Sequence, residues 1–300
     1  MKTERRPLDV IVAGDANADL ILHDVPPLEL DQEKLARDMD LTLGGSSAIT
    51  AYNLARLGAK VGFVGWVGDD LLARLVEEKL KEAGVDVSLL RRLRGAKTGI
   101  TVWHTRRLRR AGVTYAGTIE RLRATDIPSE HLARARHLHI GAYFLQRGLH
   151  AGTAALFRRA RRLGLTSSLD TNYDPAERWD GKLHEALAVT DVFLPNEEEA
   201  RRITAEKRLA AAAEALGRLA RIVVIKRGPR GALIFSGGQS FTVPAPKVHA
   251  VESTGAGDAF NAGFLERFLR GASLEECAQA AVQAGARAVT RAGGVAAFQE

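Results

Sequence analysis

The feature that most constrains the fold of this chain is the alternation of short apolar runs with longer segments of helical periodicity. The apolar runs are nearly continuous, which is typical of strands buried on both faces of a sheet. They cover residues 8–13, 61–67, 137–140, 165–169, 192–194 and 222–225. Helical patterns cover residues 48–57, 71–83, 149–163, 206–219, 259–269 and 274–289. The pattern therefore predicts a three-layer α/β/α fold with a mostly parallel central sheet.

Two segments interrupt this alternation. Residues 17–43 follow the first strand with alternating polar and apolar residues and no helical pattern, and residues 98–119 read as two strands joined by a basic turn at 106–112. Because β segments inserted into an α/β chain often form a lid or a dimer contact, we expect a small β lid built from about 17–43 and 90–119. No repeat or Pro/Gly-rich linker divides the chain, so residues 1–300 are predicted to form one domain.

Composition excludes several classes of protein. The 300 residues are 46% hydrophobic and 26% charged, values typical of a globular chain that needs no disulfide or metal for its stability. Cys277 is the only cysteine, which excludes an intrachain disulfide, and it is interpreted as a small apolar helix residue. The histidines show no metal-ligand spacing. No apolar run reaches the ~20 residues of a membrane span, and we expect a soluble, cytoplasmic protein.

The charge balance raises nucleic acid as a partner. Lysine and arginine number 43 against 36 acidic residues, a net charge of +7. The arginines cluster at 106–110 and on the predicted helix at 158–162, without interleaved aromatic residues that would stack on bases. We interpret them as solvated faces and predict no specific nucleic-acid partner.

The most informative motif is VESTGAGDAFNAGF at residues 251–264. Gly255, Ala256 and Gly257 allow close backbone approach to a ligand just before a helix begins, and a helix N-terminus favours an anion. Asp258 either contributes charge to this helix end or acts on a ligand. A carboxylate beside an anion-binding turn is the arrangement that phosphoryl transfer requires.

Three further junctions each have a simple structural explanation when taken alone. Residues 40–58 place a diglycine between a strand and a helix, residues 225–235 read as a hairpin, and residues 194–200 hold an acidic cluster at a helix start. Walker, Rossmann and protein-kinase motifs are absent from the sequence. A nucleotide site in this chain would therefore use a different phosphate-binding loop.

Taken in order, the motifs resemble the ribokinase-like (PfkB) family of carbohydrate kinases. The matching stretches are GDANAD, GGSSAITAYNLARLG, NEEE, KRGPRG, STGAGD and AVTRAGG. The resemblance covers nearly the whole chain and implies a ribokinase-like fold with a small β lid over the sugar. It also implies ATP-dependent phosphorylation of a hydroxyl on a small sugar or sugar derivative, with Mg²⁺.

The resemblance also implies residue roles. Asp258 would be the general base, with the backbone of Gly255, Ala256 and Gly257 as the anion hole. Substrate binding would fall to Asn17, Asp19, Gly44, Gly45 and Ser46. Nucleotide binding would fall to Asn196, Lys226, Gly228 and Gly231, with Glu199 acting indirectly on Mg²⁺. The closing segment 288–293 resembles a loop that can hold a monovalent cation such as K⁺, and a homodimer through the lid is implied as well.

The chain departs from the family pattern at several positions. Glu252 and Ser253 precede Thr254 where an Asp-Thr-Thr sequence is usual, which disfavours the monovalent-cation site. Ser46 and Ile49 stand where ribokinase has a Lys and an Asn that touch ribose, which disfavours ribose. Residues 169–181 are similar to a segment of sugar-acid kinases, with Arg178 and Trp179 out of register.

Two alternatives to a sugar kinase remain. A nucleoside or vitamin-precursor kinase of the same fold would need aromatic stacking near the lid, for which Trp66, Trp103 and Tyr115 are the candidates, although Trp103 is interpreted as a residue that packs within the sheet. A non-catalytic metabolite-binding protein is the other alternative. The carboxylate at Asp258 argues against it.

Overall fold

The computed structural model describes residues 6–106 and 109–299. Its strands are β1 (Val10–Ala13), β2 (Asn17–His23), β3 (Asp38–Gly44), β4 (Val61–Val67), β5 (Asp86–Arg92), β6 (Gly99–Arg106), β7 (Arg109–Tyr115), β8 (His137–Ile140), β9 (Thr166–Leu169), β10 (Val192–Phe193), β11 (Ile222–Lys226), β12 (Ala232–Ser236) and β13 (Gln239–Val243). Its helices are α1 (Ser46–Arg56), α2 (Leu71–Glu82), α3 (Ser129–Leu132), α4 (Arg147–His150), α5 (Thr153–Arg162), α6 (Leu183–Leu187), α7 (Glu197–Thr204), α8 (Leu209–Gly217), α9 (Ala256–Leu269) and α10 (Leu274–Ala288).

Nine strands form a large sheet in the order β13-β12-β11-β10-β9-β8-β1-β4-β5. All neighbouring strands from β11 through β10, β9, β8, β1 and β4 to β5 pair in parallel. At one edge of the sheet, β12 pairs antiparallel with β11, and β13 pairs antiparallel with β12. Within β1, Val10 and Val12 belong to the core on one face of the sheet, while Ile11 and Ala13 belong to the core on the other. Both faces are therefore covered by helices, which confirms the predicted α/β/α layers and the mostly parallel sheet.

A second, four-stranded sheet has the order β3-β2-β6-β7, and we call it the small sheet. Strands β2 and β6 pair in parallel, whereas β3 and β7 pair antiparallel at the two edges. The basic turn predicted at 106–112 is too long, because Arg109 to Gly112 belong to β7. Arg107 and Leu108 lie outside the described residues. Residues 90–92 belong to β5 of the large sheet and not to the small sheet, which begins again at Gly99.

Two predicted helices have different limits in the structure. The pattern at residues 149–163 is divided into α4 and α5, and Thr153 Oγ1 at the start of α5 donates to the Leu149 carbonyl at 2.9 Å. The pattern at 206–219 begins only at Leu209. Strand β5, which the sequence reading missed, mixes exposed and buried residues at the edge of the sheet and so lacks a continuous apolar run.

The arginines of α5 are only partly solvated, which corrects their interpretation as a purely solvent-facing group. Arg159 donates to the carbonyls of Ala124 and Ile127, and Arg161 donates to the Val189 carbonyl at 3.1 Å. Arg158 and Arg162 are exposed. Half of this cluster therefore ties the helix to neighbouring segments.

Other polar and sulfur side chains of the fold have structural partners. Ser168 Oγ lies 2.7 Å from His137 Nε2 and 2.8 Å from His139 Nδ1, and burial lowers the pKa of these imidazoles to about 3 and about 4. Cys277 is buried on α10, where burial raises the thiol pKa to about 11. Among the described residues, no helix has the length and apolar character needed to cross a lipid bilayer.

Candidate active site

A cavity of about 970 Å³ lies between the small sheet and the carboxyl ends of the parallel strands. Residues from both sheets line it, together with the N-terminal end of α9. In open α/β sheets, the carboxyl edge of the strands is where ligands bind. The predicted site residues that line this cavity are Asn17, Asp19, Gly45, Ser46, Asn196, Glu199, Lys226, Gly228, Gly255, Gly257 and Asp258.

The turn before α9 requires glycine at position 255. Gly255 has φ 72°, and a Cβ at this position would lie 2.5 Å from the Cα of Gly294. The first N–H groups of a helix have no partner inside it and point out of its N-terminal end. Ala256 is an exception here, because its N–H donates to the Ser253 carbonyl at 3.3 Å. The free end of α9 therefore faces the cavity with Gly255 and Gly257 at its rim.

Asp258 lies in the first turn of α9 and is half-buried. Ser46 Oγ, at the start of α1, donates to Asp258 Oδ1 at 2.5 Å. Burial raises the pKa of Asp258 to about 7, helped by the negative charges of Asp170 and Asp15 and opposed by the Ser46 hydrogen bond and Lys226. A carboxyl group with a pKa near neutrality can accept a proton and release it again at physiological pH.

A buried cation lies beneath the glycine turn. Lys226, at the end of β11, donates to Asp170 Oδ2 at 2.8 Å and to Asn261 Oδ1 at 3.4 Å. Asn261 Nδ2 donates in turn to the same Asp170 oxygen. A Cβ placed on Gly257 would lie 3.7 Å from Lys226 Nζ. The ammonium is thus held by Asp170 and Asn261 next to the N-terminus of α9, where both would attract an anion.

The charged groups of this cluster shift one another's pKa values. Burial lowers the pKa of Lys226, but the nearby Asp170 and Glu199 outweigh it, so the net shift is upward. Burial acts to raise the pKa of Asp170, and the ion pair with Lys226 overcomes this and lowers it. At neutral pH the pair is therefore ionised. The sequence around Asp170 resembles a segment of sugar-acid kinases but gives no sign of its partners Lys226 and Asn261.

Asn196 and Glu199 form a reciprocal cap on α7. Asn196 Oδ1 accepts from the Glu199 N–H at 2.9 Å, while Glu199 Oε2 accepts from the Asn196 N–H at 2.9 Å. Glu199 Oε1 accepts from Asn196 Nδ2 at 2.6 Å, and burial raises the pKa of Glu199 to about 7. Both carboxylate oxygens are occupied, so this pair holds the shape of the cavity wall at the start of α7.

Metal-ligand clusters built from three or more His, Cys, Asp or Glu side chains are absent from the described residues. Mg²⁺ in phosphoryl-transfer sites is held largely by substrate phosphates and water, with one or two carboxylates. Because Asn196 and Glu199 already bond to each other, a Mg²⁺ ion in this cavity would contact them through water and would be held mainly by phosphates.

The other half of the site lies where β2 and β3 meet. Asn17 pairs with Gly44 in the register of the two strands, and Asn17 Nδ2 donates to Asp19 Oδ1 at 3.2 Å. A Cβ on Gly44 would overlap the Asp19 carboxylate, and one on Gly45, which has φ 87°, would lie 2.7 Å from Asn17 Oδ1. Both glycines are therefore required for the two polar side chains to reach the cavity.

Asp19, like Asp258 and Glu199, is a carboxyl group of the site with a raised pKa. Burial raises its pKa to about 7, while Trp103 and Arg110 act in the opposite direction. Asp15, which the sequence reading did not select, accepts from the N–H groups of Ser46 at 2.9 Å and Ser47 at 2.8 Å. It caps α1 and so fixes the position of Ser46. No local sequence signal marks this role, because Asp15 precedes Ser46 by 31 residues.

Three of the predicted site residues, Gly44, Gly231 and Ala256, do not line the cavity. Gly231 has φ 83°, and a Cβ there would overlap the Val243 carbonyl, so it allows the β11–β12 turn to approach the end of β13. Gly228, three residues earlier, does line the cavity. Of the aromatic candidates, Trp103 lines the cavity, whereas Trp66 bonds to Asp126 and Tyr115 is exposed.

The carboxyl edge of this α/β sheet places a carboxyl group with a pKa of about 7 beside a helix N-terminus and the Lys226 ammonium, an arrangement suited to a small-molecule kinase. The chain belongs to the pfkB family of carbohydrate kinases, whose family model matches residues 8–300. It is therefore an enzyme, an ATP-dependent carbohydrate kinase, as the sequence resemblance predicted.

Two curated relatives support the same assignment, and a solved structure supports the fold. The chain is 31% identical over 299 residues to an ATP-dependent ribose-1-phosphate kinase of Halopiger xanaduensis, covering 96% of this chain and 97% of that one. It is 30% identical over 276 residues to a cytidine kinase of Thermococcus kodakarensis, covering 90% and 92%. A crystal structure of adenosine kinase from Sinorhizobium meliloti superposes with a TM-score of 0.86 at 22% identity, covering 96% and 95%.

Proposed function

We propose that Asp258 is the general base of this kinase. Its carboxylate takes the proton of the acceptor hydroxyl as that oxygen bonds to the γ-phosphorus of ATP, and the bond from γ-phosphorus to the bridging oxygen breaks to release ADP. The carrying observation is the half-buried carboxyl with a pKa of about 7, placed beside the glycine turn at the N-terminus of α9. The N–H groups of Gly255 and Gly257 stabilise the phosphoryl oxygens, while Ala256 shapes the turn.

The nucleotide side of the cavity is assigned to Asn196, Lys226 and Gly228, with Gly231 shaping the hairpin behind them. Lys226 supports this assignment, because its ammonium lies within reach of the end of α9 and is held by Asp170 at 2.8 Å. Mg²⁺, when bound, neutralises phosphate charge. We assign Glu199 an indirect part in that binding, since both of its oxygens already accept hydrogen bonds from Asn196.

The acceptor side is assigned to Asn17, Asp19 and Ser46, held in place by Gly44 and Gly45. These groups offer hydrogen-bond donors and acceptors suited to sugar hydroxyls, and Ile49 adds an apolar wall. The relatives named as ribose-1-phosphate kinase and cytidine kinase both act on ribosyl compounds, which supports a sugar or sugar derivative as the acceptor. Free ribose is less favoured, because Ile49 offers no hydrogen bond.

A nucleoside acceptor is the second candidate. Phe144 and Tyr173 line the cavity, and both pack edge-on against Trp179, with ring centroids 5.5 Å and 5.2 Å apart. Trp103 lines it from the small sheet. These aromatic faces could stack on a base, and the similarity to a cytidine kinase supports the same reading.

We also propose a homodimer that forms through the small sheet. The face of this sheet turned away from the cavity carries Met39, Leu41, Val113 and Tyr115, which are 56%, 46%, 71% and 54% exposed. In the strand register, half-buried Leu20 and Val102 lie between Leu41 and Val113 and join the two edges. An apolar surface of this kind is typical of a protein–protein contact. No specific nucleic-acid partner is proposed.

The proposed function is tested by measuring ADP release with Mg-ATP across four acceptor classes: pentoses, sugar phosphates, sugar acids and nucleosides. Mass spectrometry of the product identifies the phosphorylated position. We expect turnover with one class and its loss in Asp258→Asn. Turnover that survives in this variant would remove Asp258 as the base, and no ADP release with any class would overturn the sugar or nucleoside acceptor.

A further inference from the structure

Arg110 connects the small sheet to the loop that precedes the glycine turn. It lies on the side of β7 that faces the cavity. Its Nη1 donates to Thr254 Oγ1 at 2.6 Å and lies 4.0 Å from Glu252 Oε1. Its guanidinium carbon lies 4.4 Å from the centroid of the Trp103 ring, at cation–π distance. One third of the side chain is exposed (33%). The guanidinium is thus held by three groups from two parts of the chain.

Trp103 is itself fixed by the strand opposite. It pairs with Gly112 in the β6–β7 register, and a Cβ on Gly112 would lie 2.5 Å from two ring carbons. The ring therefore lies flat across the glycine, with Arg110 stacked on it. This arrangement orients the guanidinium toward Thr254, so that its direction follows the position of the small sheet.

Glu252 joins the same loop to the closing segment of the chain. Its Oε1 accepts from the Thr254 N–H at 2.9 Å and from the Thr254 hydroxyl, and its Oε2 accepts from the Gly293 N–H at 2.8 Å. The Glu252 side chain is only 7% exposed. The three hydrogen bonds from the chain stabilise this buried carboxylate, and the positive charge of Arg110 at 4.0 Å adds to them.

These contacts do not fit a monovalent cation in the loop. Such a cation needs several free oxygen ligands, whereas both Glu252 oxygens here already accept hydrogen bonds from N–H and O–H groups of the chain. The carboxylate itself bridges the two segments, residues 252–254 and Gly293, that a bound cation would otherwise hold together.

We propose that Arg110 is a positioning residue that couples the small sheet to the glycine turn, and that Arg110 and Glu252 together replace a monovalent cation. The inference rests on the proposed roles of the glycine turn and Asp258. When the small sheet lies over the acceptor, Arg110 holds Thr254, the residue immediately before Gly255. The turn then keeps the conformation that receives the phosphoryl group.

The test compares Arg110→Ala and Arg110→Lys with Arg109→Ala. Arg109 precedes Arg110 on β7, is exposed and faces the opposite side of the strand, so the control removes the same charge without touching the loop. Turnover is measured together with amide hydrogen exchange of residues 251–258 and 288–294, with and without the acceptor found above. Melting temperatures are compared in KCl and in choline chloride at equal ionic strength.

We expect Arg110→Ala to lower kcat about tenfold or more, with the KM for ATP unchanged within about twofold, and Arg110→Lys to recover part of the loss. Acceptor should slow exchange in residues 251–258 of the wild type and of Arg109→Ala, but not of Arg110→Ala. KCl should give the same wild-type melting temperature and exchange as choline chloride.

Acceptor protection that persists in Arg110→Ala would overturn the coupling. A wild-type protein that KCl stabilises, or whose residues 251–258 it protects, would overturn the replacement of the cation. Exchange and melting are measured without turnover. A wild type that shows no kinase activity would therefore contradict the proposed function while the ligand-free exchange of the Arg110 variants still tests the contact.

Discussion

Ser46 Oγ and Asp258 Oδ1 are joined by a hydrogen bond of 2.5 Å between residues 212 positions apart. The bond connects the first turns of α1 and α9, and so connects the acceptor side of the cavity to the glycine turn. It stabilises the ionised form of Asp258, because a carboxylate accepts this hydrogen bond and its protonated form loses part of it. The acidity of the proposed base therefore depends on a residue of the acceptor site.

Replacing Asp258 by Asn should reduce kcat by about 10²–10⁴-fold, the usual contribution of a positioned base. ATP affinity, measured by calorimetry, should stay within about twofold, since the amide has nearly the same shape and the nucleotide contacts lie elsewhere. Asp31→Asn is the control, as Asp31 is exposed and Asn tolerates its φ of 61°. A comparable loss in the control would point to a general effect of the substitution.

The rate should rise with pH. A base must be deprotonated to act, so kcat/KM should increase as pH rises through about 7, the pKa of Asp258, and level off above it. Asp19 and Glu199 also have pKa values of about 7, so the profile alone does not identify the group. Ser46→Ala removes a hydrogen bond that lowers the pKa of Asp258, and should move the midpoint to higher pH. If the midpoint of the kcat/KM profile is the same in Ser46→Ala as in the wild type, the pH dependence comes from a carboxyl group other than Asp258.

Asp258 should also destabilise the folded protein at high pH. Its pKa is about 7 in the folded protein and about 3.8 in the unfolded chain. Between these two pH values the folded state binds more protons than the unfolded state, so the stability contributed by this group falls as pH rises. Asp258→Asn should match the wild type in melting temperature near pH 4 and exceed it near pH 8. A difference that does not change with pH would contradict the shifted pKa.

Removing the buried ammonium should be costly. Lys226→Met leaves Asp170 without its ion-pair partner, and losing one member of a buried pair destabilises a protein by about 3–5 kcal/mol. Urea unfolding measures this, and the double variant with Asp170→Asn should recover part of the loss. Lys247→Met, at an exposed position, should change stability by no more than about 0.5 kcal/mol. Equal losses of stability in the two lysine variants would contradict a specific contribution of the Lys226–Asp170 ion pair.

A methyl group at Gly44 should impair acceptor binding alone. The new Cβ would displace the Asp19 carboxylate and approach Asn17 Nδ2 at 2.8 Å. We expect Gly44→Ala to raise the acceptor KM about tenfold or more, a change of roughly 1.4 kcal/mol, with the KM for ATP unchanged. Parallel increases in both KM values would show that the substitution disturbs the fold rather than the acceptor side.

The proposed dimer should be sensitive to charge on the outer face of the small sheet. Val113→Lys introduces an ammonium into the apolar surface, and light scattering should show a monomer where the wild type is a dimer. Val248→Lys makes the same change at a loop position that is 44% exposed and should leave the dimer intact. A monomeric wild type would contradict the assembly.

The sequence predicted the parts of the fold that depend on local pattern. Continuous apolar runs located the buried parallel strands, because burial on both faces leaves no room for polar residues. Strand β5 was not predicted because it lies at the edge of the sheet, where only Leu89 is buried and the strand ends in exposed Arg91 and Arg92. Helix limits were less accurate, since α4 and α5 share one helical periodicity and are separated only by a turn at residues 151–152.

The candidate site was predictable where one short motif carried the chemistry, as at Gly255 to Asp258. The residues that were missed act through partners distant in sequence. Asp170 accepts hydrogen bonds from Lys226 and Asn261, which follow it by 56 and 91 residues. Arg110 donates to Thr254, which lies 144 residues later. No spacing rule connects such positions, because the sheet order and not the chain order brings them together.

The packing of α1 against α9 has a consequence for synthesis of the chain on the ribosome. Helix α1 carries Ile49 and Tyr52 into a core that also contains Phe260 and Phe264 of α9, and these residues emerge more than 200 positions later. Until then, the nascent protein exposes an apolar helix face and an incomplete sheet. Chains that end before residue 256 lack α9 and α10 and should therefore aggregate more readily than the full chain.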